Sequence, residues 1–195
     1  MREMLRLFLA VLLFSGVSGG LLAFVKDATQ ARIEYQQLKF VKGPAIHQIL
    51  KGCTNDPLVD RFKIEDGQVV RNFFVGEFGG RRSTVAFESV GKGFGGDIGI
   101  IVAVDVSTDR IVGVAVTTHS ETPGVGSRTK DDPSFCAQFK GLPIREVFKV
   151  KADGGQIDAL SGATVSSRGI CGAVTAASGV YARLKGEIEK KLSAS

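Results

Sequence analysis

Residues Ile98–Val106 read IGIIVAVDV, and Ile111–Thr118 read IVGVAVTT; only Ser107-Thr-Asp-Arg110 separates them. Both runs are rich in β-branched residues and nearly continuous in apolar character, which marks paired central strands. Toward the N-terminus, Arg82–Val90 alternates and extends the sheet. Gly79-Gly80 turns the chain back from a strand over Gln68–Phe78, and Asp66-Gly67 is a tight-turn signal after another over Leu58–Glu65. Toward the C-terminus the pattern predicts a loop, a short helix near Pro133–Phe139 and a strand near Arg145–Lys151. From about Val165 to Lys191, Ile170, Val174, Val180, Tyr181, Leu184 and Ile188 recur at helical spacing. The class is α+β: a twisted, mainly antiparallel sheet with packed helices.

The chain has 195 residues, 44% of them hydrophobic, enough for one domain with a real core and against disorder. The extra length lies at the N-terminus. Leu7–Val25, LFLAVLLFSGVSGGLLAFV, holds 19 residues without a charge after Arg2 and Arg6. At about 1.5 Å per residue it nearly matches a bilayer core of about 30 Å. A cleaved signal peptide is the rival reading, with Ser15–Gly20 as its cleavage region. Apolar sequence resumes at Leu21–Val25, however, which favours a retained anchor. Gly16 and Gly20 have the spacing that lets a second membrane helix approach closely, although glycine is common in such helices anyway. Basic residues flank the segment on both sides, so counting them leaves its orientation open. The expected division is a cytoplasmic N-terminus over residues 1–6, a transmembrane helix over 7–25, a helical linker over 26–57 with a short helix at Pro44–Lys51, and a folded domain over 58–195.

The formal charge of +5 is scattered, so no nucleic-acid-binding stripe is expected. Cys53, Cys136 and Cys171 are far apart and lack Cys-x-x-Cys spacing; a metal site is not expected. They read as buried thiols, with one disulfide plus one free thiol as the alternative outside the cytoplasm.

Three stretches invite a chemical reading. Gly91-Lys-Gly-Phe-Gly-Gly96 fits Gly-x-Gly-x-x-Gly, but a strand follows it where a dinucleotide fingerprint needs a helix. It is either a plain connection or a loop whose glycines bring backbone against a flat ligand. His119-Ser-Glu-Thr-Pro-Gly-Val-Gly126 ends a strand in a turn, and Glu121 and Thr122 offer an acceptor and a hydroxyl there. No catalytic trio of nucleophile, base and orienter is present. Ser161-Gly-Ala-Thr164 precedes the last helix. Ser161, Ser166 and Ser167 are candidate caps, and Arg168 adds a positive charge in the first turn. Ordinary capping is one reading; a phosphate held on free backbone N–H groups is the other.

At these residues the chain resembles a known family. Ser161-Gly-Ala-Thr164, with Asp158 three residues ahead, is similar to the flavinylation motif of FMN-binding domains. Glu121-Thr-Pro-Gly-Val-Gly126 resembles that family's second signature, with Val125 where Leu is most frequent, and Gly93-Phe-Gly-Gly96 its glycine-rich turn. The order of the motifs, the anchor and the length resemble the G subunit of Rnf electron-transport complexes. The C subunit of sodium-pumping NADH:quinone reductases shares the motifs but is usually longer. The resemblance implies FMN joined through its phosphate to Thr164 by a separate flavin transferase, on a turn shaped by Ser161, Gly162 and Ala163. Glu121 and Thr122 would contact the flavin or its ribityl chain, and Gly93, Gly95 and Gly96 would let backbone approach it. It also implies a single-pass inner-membrane protein with its domain on the periplasmic side. Other proteins of the complex would be its partners, in ion-translocating electron transfer between ferredoxin and NAD, and no independent catalysis is expected. Two readings stay beside it: a C-type or other extracytoplasmic flavin carrier, and a non-redox module binding a phosphate-bearing ligand or a partner.

Overall fold

The structure, a computed structural model, describes residues 2–194, apart from the side chain of Ala31. The chain divides into two units, one reaching to Phe40 and one beginning at Val41. The first is the helix α1, Arg2–Gln37. Its segment Arg2–Gln30 is long and apolar enough to cross a membrane, and none of that apolar stretch is buried in the protein. A five-residue π-helical segment follows at Leu38–Lys42.

The second unit opens with α2, Gly43–Ile49, where Pro44 sits in the first turn, a position at which its missing N–H costs nothing. Five strands follow: β1 Arg61–Asp66, β2 Val69–Phe78, β3 Arg81–Lys92, β4 Asp97–Asp105 and β5 Arg110–Thr118. They form one sheet in the order β1-β2-β3-β4-β5, every neighbouring pair antiparallel. After two short helices, α3 Arg128–Asp131 and α4 Pro133–Ala137, the chain ends in α5, Thr164–Ser193. The α+β expectation is met.

Period-two alternation sends Phe73, Val85, Phe87, Ile100, Val102 and Val104 to one face of the sheet, where α5 covers them. α5 supplies Ile170, Val174, Ala177, Tyr181, Leu184 and Ile188, all 5% exposed or less. This 4-3-4-3-4 spacing keeps one stripe facing the sheet. Each large apolar side chain buried this way contributes roughly 1.5–3 kcal/mol. Small residues let α2 cover part of the opposite face. A Cβ at Gly113 would lie 2.7 Å from Ile49, and one at Gly76 would lie 3.1 Å from Leu50. Ile46 and Leu50, assigned by sequence to a linker, are fully buried in this compact unit.

The strand expected near Arg145–Lys151 is absent. Ile144, Phe148 and Val150 are buried, but the segment joins no ladder beyond the isolated bridges Arg110↔Pro143 and Val150↔Ile157. Its backbone groups are used elsewhere. Phe148 N–H donates to Thr175 Oγ1 at 2.9 Å, and Lys151 N–H donates to the Ile157 carbonyl at 2.8 Å. The first strand also starts at Arg61 rather than Leu58, because Val59 and Asp60 turn back onto the Asp56 carbonyl.

Candidate functional site

The N-terminus of α5 lacks a side-chain cap. Ser167 N–H bonds the Ala163 carbonyl at 2.9 Å and starts the helical ladder. The N–H groups of Thr164, Val165 and Ser166 have no acceptor among the described residues, as expected for a first helical turn. The turn before it depends on Gly162, whose φ of +80° favours glycine. The serines proposed as caps have other tasks. Ser167 Oγ donates to the Ala163 carbonyl at 2.9 Å and accepts from Leu160 N–H at 3.1 Å. Ser166 Oγ donates to the Glu121 carboxylate. Ser161 presents its carbonyl to Arg128 at 3.3 Å. Arg168 turns away and grips Asp153 with two hydrogen bonds of 2.7 Å; that guanidinium holds the Asp153 carboxyl below its ordinary range.

Glu121 is the meeting point of the three stretches. It is only 5% exposed. Oε2 accepts from Ser166 Oγ, and Oε1 accepts from Gly95 N–H at 2.8 Å. Burial pushes its carboxyl up, but the hydroxyl of Ser166 and the N–H groups of Gly95 and Phe94 outweigh it and leave the group below its ordinary value. Glycines wall it in: a Cβ would lie 2.4 Å from Oε1 at Gly93 and 2.7 Å from Oε2 at Gly126. The glycine-rich turn, the Glu-Thr-Pro-Gly loop and α5 thus share one buried anion, held by hydrogen bonds as such a group requires. Glu121 Oε1 and Oε2 are both engaged by protein donors. Gly96 closes its turn by accepting from Gly93 N–H at 2.8 Å.

Beside this junction lies a cavity of about 370 Å³, within the range of small-ligand clefts. One wall is Gly162, Ala163, Thr164, Val165 and Ser166; the other is Glu121, Thr122, Val125 and Gly126, with Phe94 at the rim. Gly95, Gly96 and Ser161 stay outside the lining. Thr164 is partly exposed, and its hydroxyl has no hydrogen-bond partner among the described residues. Ser166 and Ser167, by contrast, are buried. Phe94, Val125 and Val165 are exposed by 75%, 44% and 44%. The donor set suits a phosphorylated flavin: three free N–H groups at the positive end of a 30-residue helix for the phosphate, and apolar surface for the ring. Sequence reading missed Phe94, Ser166 and Arg128 as parts of this site. Phe94 carried a signal, since a large apolar residue between glycines has nowhere to bury itself.

The class is given by a family match: the FMN-binding domain family matches residues 93–178, from the glycine-rich turn at Gly93 through the Glu121 loop to beyond Thr164. Within that class, the chain belongs to the family of G subunits from ion-translocating oxidoreductase complexes. It is 33% identical to the G subunit of Cereibacter sphaeroides over 90% of this chain and 83% of the relative. Identity to the Pseudomonas aeruginosa G subunit is 35%, over 89% and 86%. The Methanosarcina acetivorans G subunit is 30% identical, over 90% and 93%. Among solved structures, Shewanella oneidensis NqrC superposes with a TM-score of 0.53 at 25% identity, covering 74% of this chain and 73% of that one.

Proposed function

We propose that this chain is the membrane-anchored G subunit of an ion-translocating electron-transport complex and that it relays electrons through FMN esterified to Thr164. The observation that carries the reading is the convergence of three sequence signatures on one cavity, at whose edge a partly exposed, unpartnered threonine hydroxyl meets a helix N-terminus. Ser161, Gly162 and Ala163 form the turn that presents Thr164, and the N–H groups of residues 164–166 hold the phosphate. Thr122 faces the cavity with Val125, and the backbone near Gly93, Gly95 and Gly96 supports its rim. When bound, FMN supplies the one- and two-electron redox chemistry.

Attachment requires a flavin transferase as partner. Thr164 Oγ1 forms the ester bond to phosphorus and gives up its proton. A flavin dinucleotide donor loses AMP as its pyrophosphate bond breaks. The domain is assigned to the periplasmic side of the inner membrane, where a covalent tether prevents cofactor loss. The anchoring is supported by the apolar segment of α1 and by relatives named as subunits of ion-translocating complexes; the side is what the resemblance implies.

The test is denaturing electrophoresis with in-gel fluorescence, together with intact mass, on chain produced with a flavin transferase. Wild type carries one flavin that survives denaturation. Thr164→Ala carries none, and Thr164→Ser retains part of it. Denaturation-resistant flavin on Thr164→Ala overturns the attachment. Protease treatment of spheroplasts tests the side: the domain from Val41 onward is cut from outside, or the orientation is reversed.

A further inference from the structure

We propose that Ser166 is a positioning residue of the flavin site, acting through Glu121 to fix the first turn of α5 against the loop Thr122–Gly126. The inference rests on the reading of this cavity as the FMN site. Two hydrogen bonds join the segment 121–128 to the segment 161–166 among the described residues. One is Arg128 to the Ser161 carbonyl, exposed and 3.3 Å long. The other is Ser166 to Glu121, buried. Both bonds have one ionised partner; the one held away from water is the stronger of the two.

The enclosure is tight. At Gly126, the end of the loop, a Cβ would lie 2.7 Å from Glu121 Oε2 and 2.9 Å from Ser166 Oγ. The carboxylate and the hydroxyl thus fill the space that a side chain at position 126 would need, and the other carboxylate oxygen is held by Gly95 N–H at 2.8 Å. Thr122 and Val125 form one wall of the cavity, Thr164 and Val165 the other. The separation of these walls follows from the Ser166–Glu121 contact two residues beyond Thr164. Ser166 is 2% exposed, so it is not itself an attachment site; its hydroxyl serves the geometry that presents the neighbouring one. Misplacing a reacting group by even an ångström is costly in rate.

The test uses the full-length chain with a flavin transferase and flavin adenine dinucleotide as donor. Ser166→Ala should slow covalent incorporation about tenfold at saturating donor, as expected for loss of one buried charge-assisted bond, with little change in the half-saturating donor concentration. Fluorescence anisotropy of the attached flavin should fall, because its walls are no longer locked. Glu121→Gln keeps the shape and should act in the same direction. The double variant should be no slower than the slower single variant, since both remove one contact. Wild-type rate and anisotropy in Ser166→Ala, or additive losses in the double variant, overturn the proposal. Thr164→Ala run alongside separates the two readings. Denaturation-resistant flavin there sinks the attachment, while anisotropy of the bound flavin in Ser166→Ala still decides the clasp.

Discussion

A Cβ at Gly91 would lie 2.0 Å from the carbonyl oxygen of Gly169. Strand β3 and helix α5 therefore touch backbone to backbone at this point, and the contact is mutual: a Cβ at Gly169 would lie 2.5 Å from the Lys92 carbonyl oxygen. This approach sets the start of α5 beside the glycine-rich turn that follows β3. Gly91→Ala and Gly169→Ala should each cost about 1–3 kcal/mol by overpacking. Thermal melting of the full-length chain in detergent checks this. Gly172→Ala, where nothing lies within 4 Å, is the control and should be neutral or slightly stabilising.

Stability should fall on the acid side in part through Glu121. Its folded-state value lies below the ordinary 4.5, so the unfolded chain takes up the proton first. The contribution is complete above about pH 4.5 and is lost as pH falls through the lower folded value. Glu121→Gln should flatten this limb of a urea-midpoint against pH curve, and Asp109→Asn should do so independently, since Asp109 is also lowered. An unchanged slope in either variant would show that its carboxylate is not held as described.

Asp109 anchors the far half of α5. In the β4–β5 connection it accepts from Tyr181 Oη at 2.6 Å and Lys185 Nζ at 2.6 Å, and it pairs with Arg145 at 3.1 Å. It does so with a φ of +54°, a conformation few non-glycine residues adopt. Burial and the adjacent carboxylate push the Tyr181 phenol up, so it stays a donor. Tyr181→Phe should cost about 1–2 kcal/mol. Asp109→Gly, which relieves the backbone but removes the acceptor, should still be destabilising. A gain in melting temperature from Asp109→Gly would mean that backbone strain outweighs the contacts.

The three cysteines are free. Burial lifts the thiols of Cys136 and Cys171 to about 11, so little thiolate exists at neutral pH. Iodoacetamide at pH 8 should modify both slowly in the native chain and fully in denaturant, by intact mass. Fast native alkylation of Cys171 would contradict its burial in the core, on the inner face of α5.

Alternation and turn chemistry made the sheet readable because each of its five strands pairs with its sequence neighbour; local signals then carry the whole topology. The helix stripe from Ile170 to Ile188 was legible for the same reason. The segment around Phe148 was not. Its apolar residues are buried as a strand's would be, and only the tertiary partner Thr175 reveals that its backbone is engaged elsewhere. At the cavity, the placement of Thr164 at a helix start was legible through the glycine and small residues before it. The role of Ser166 was hidden, because a serine in a first turn reads as a cap until a carboxylate 45 residues away claims its hydroxyl.

The nearest-neighbour order of the sheet also sets a schedule. Every hairpin can close as soon as its second strand has left the ribosome, and local pairing of this kind forms quickly. The last 30 residues of described helix have nothing to lie on until that meander is complete. Thr164 therefore gains its surroundings only after Gly93 and Glu121 are already in place. The order of assembly is written into the chain itself: the wall from Glu121 to Gly126 stands first, and the cavity exists only once α5 has docked beside it.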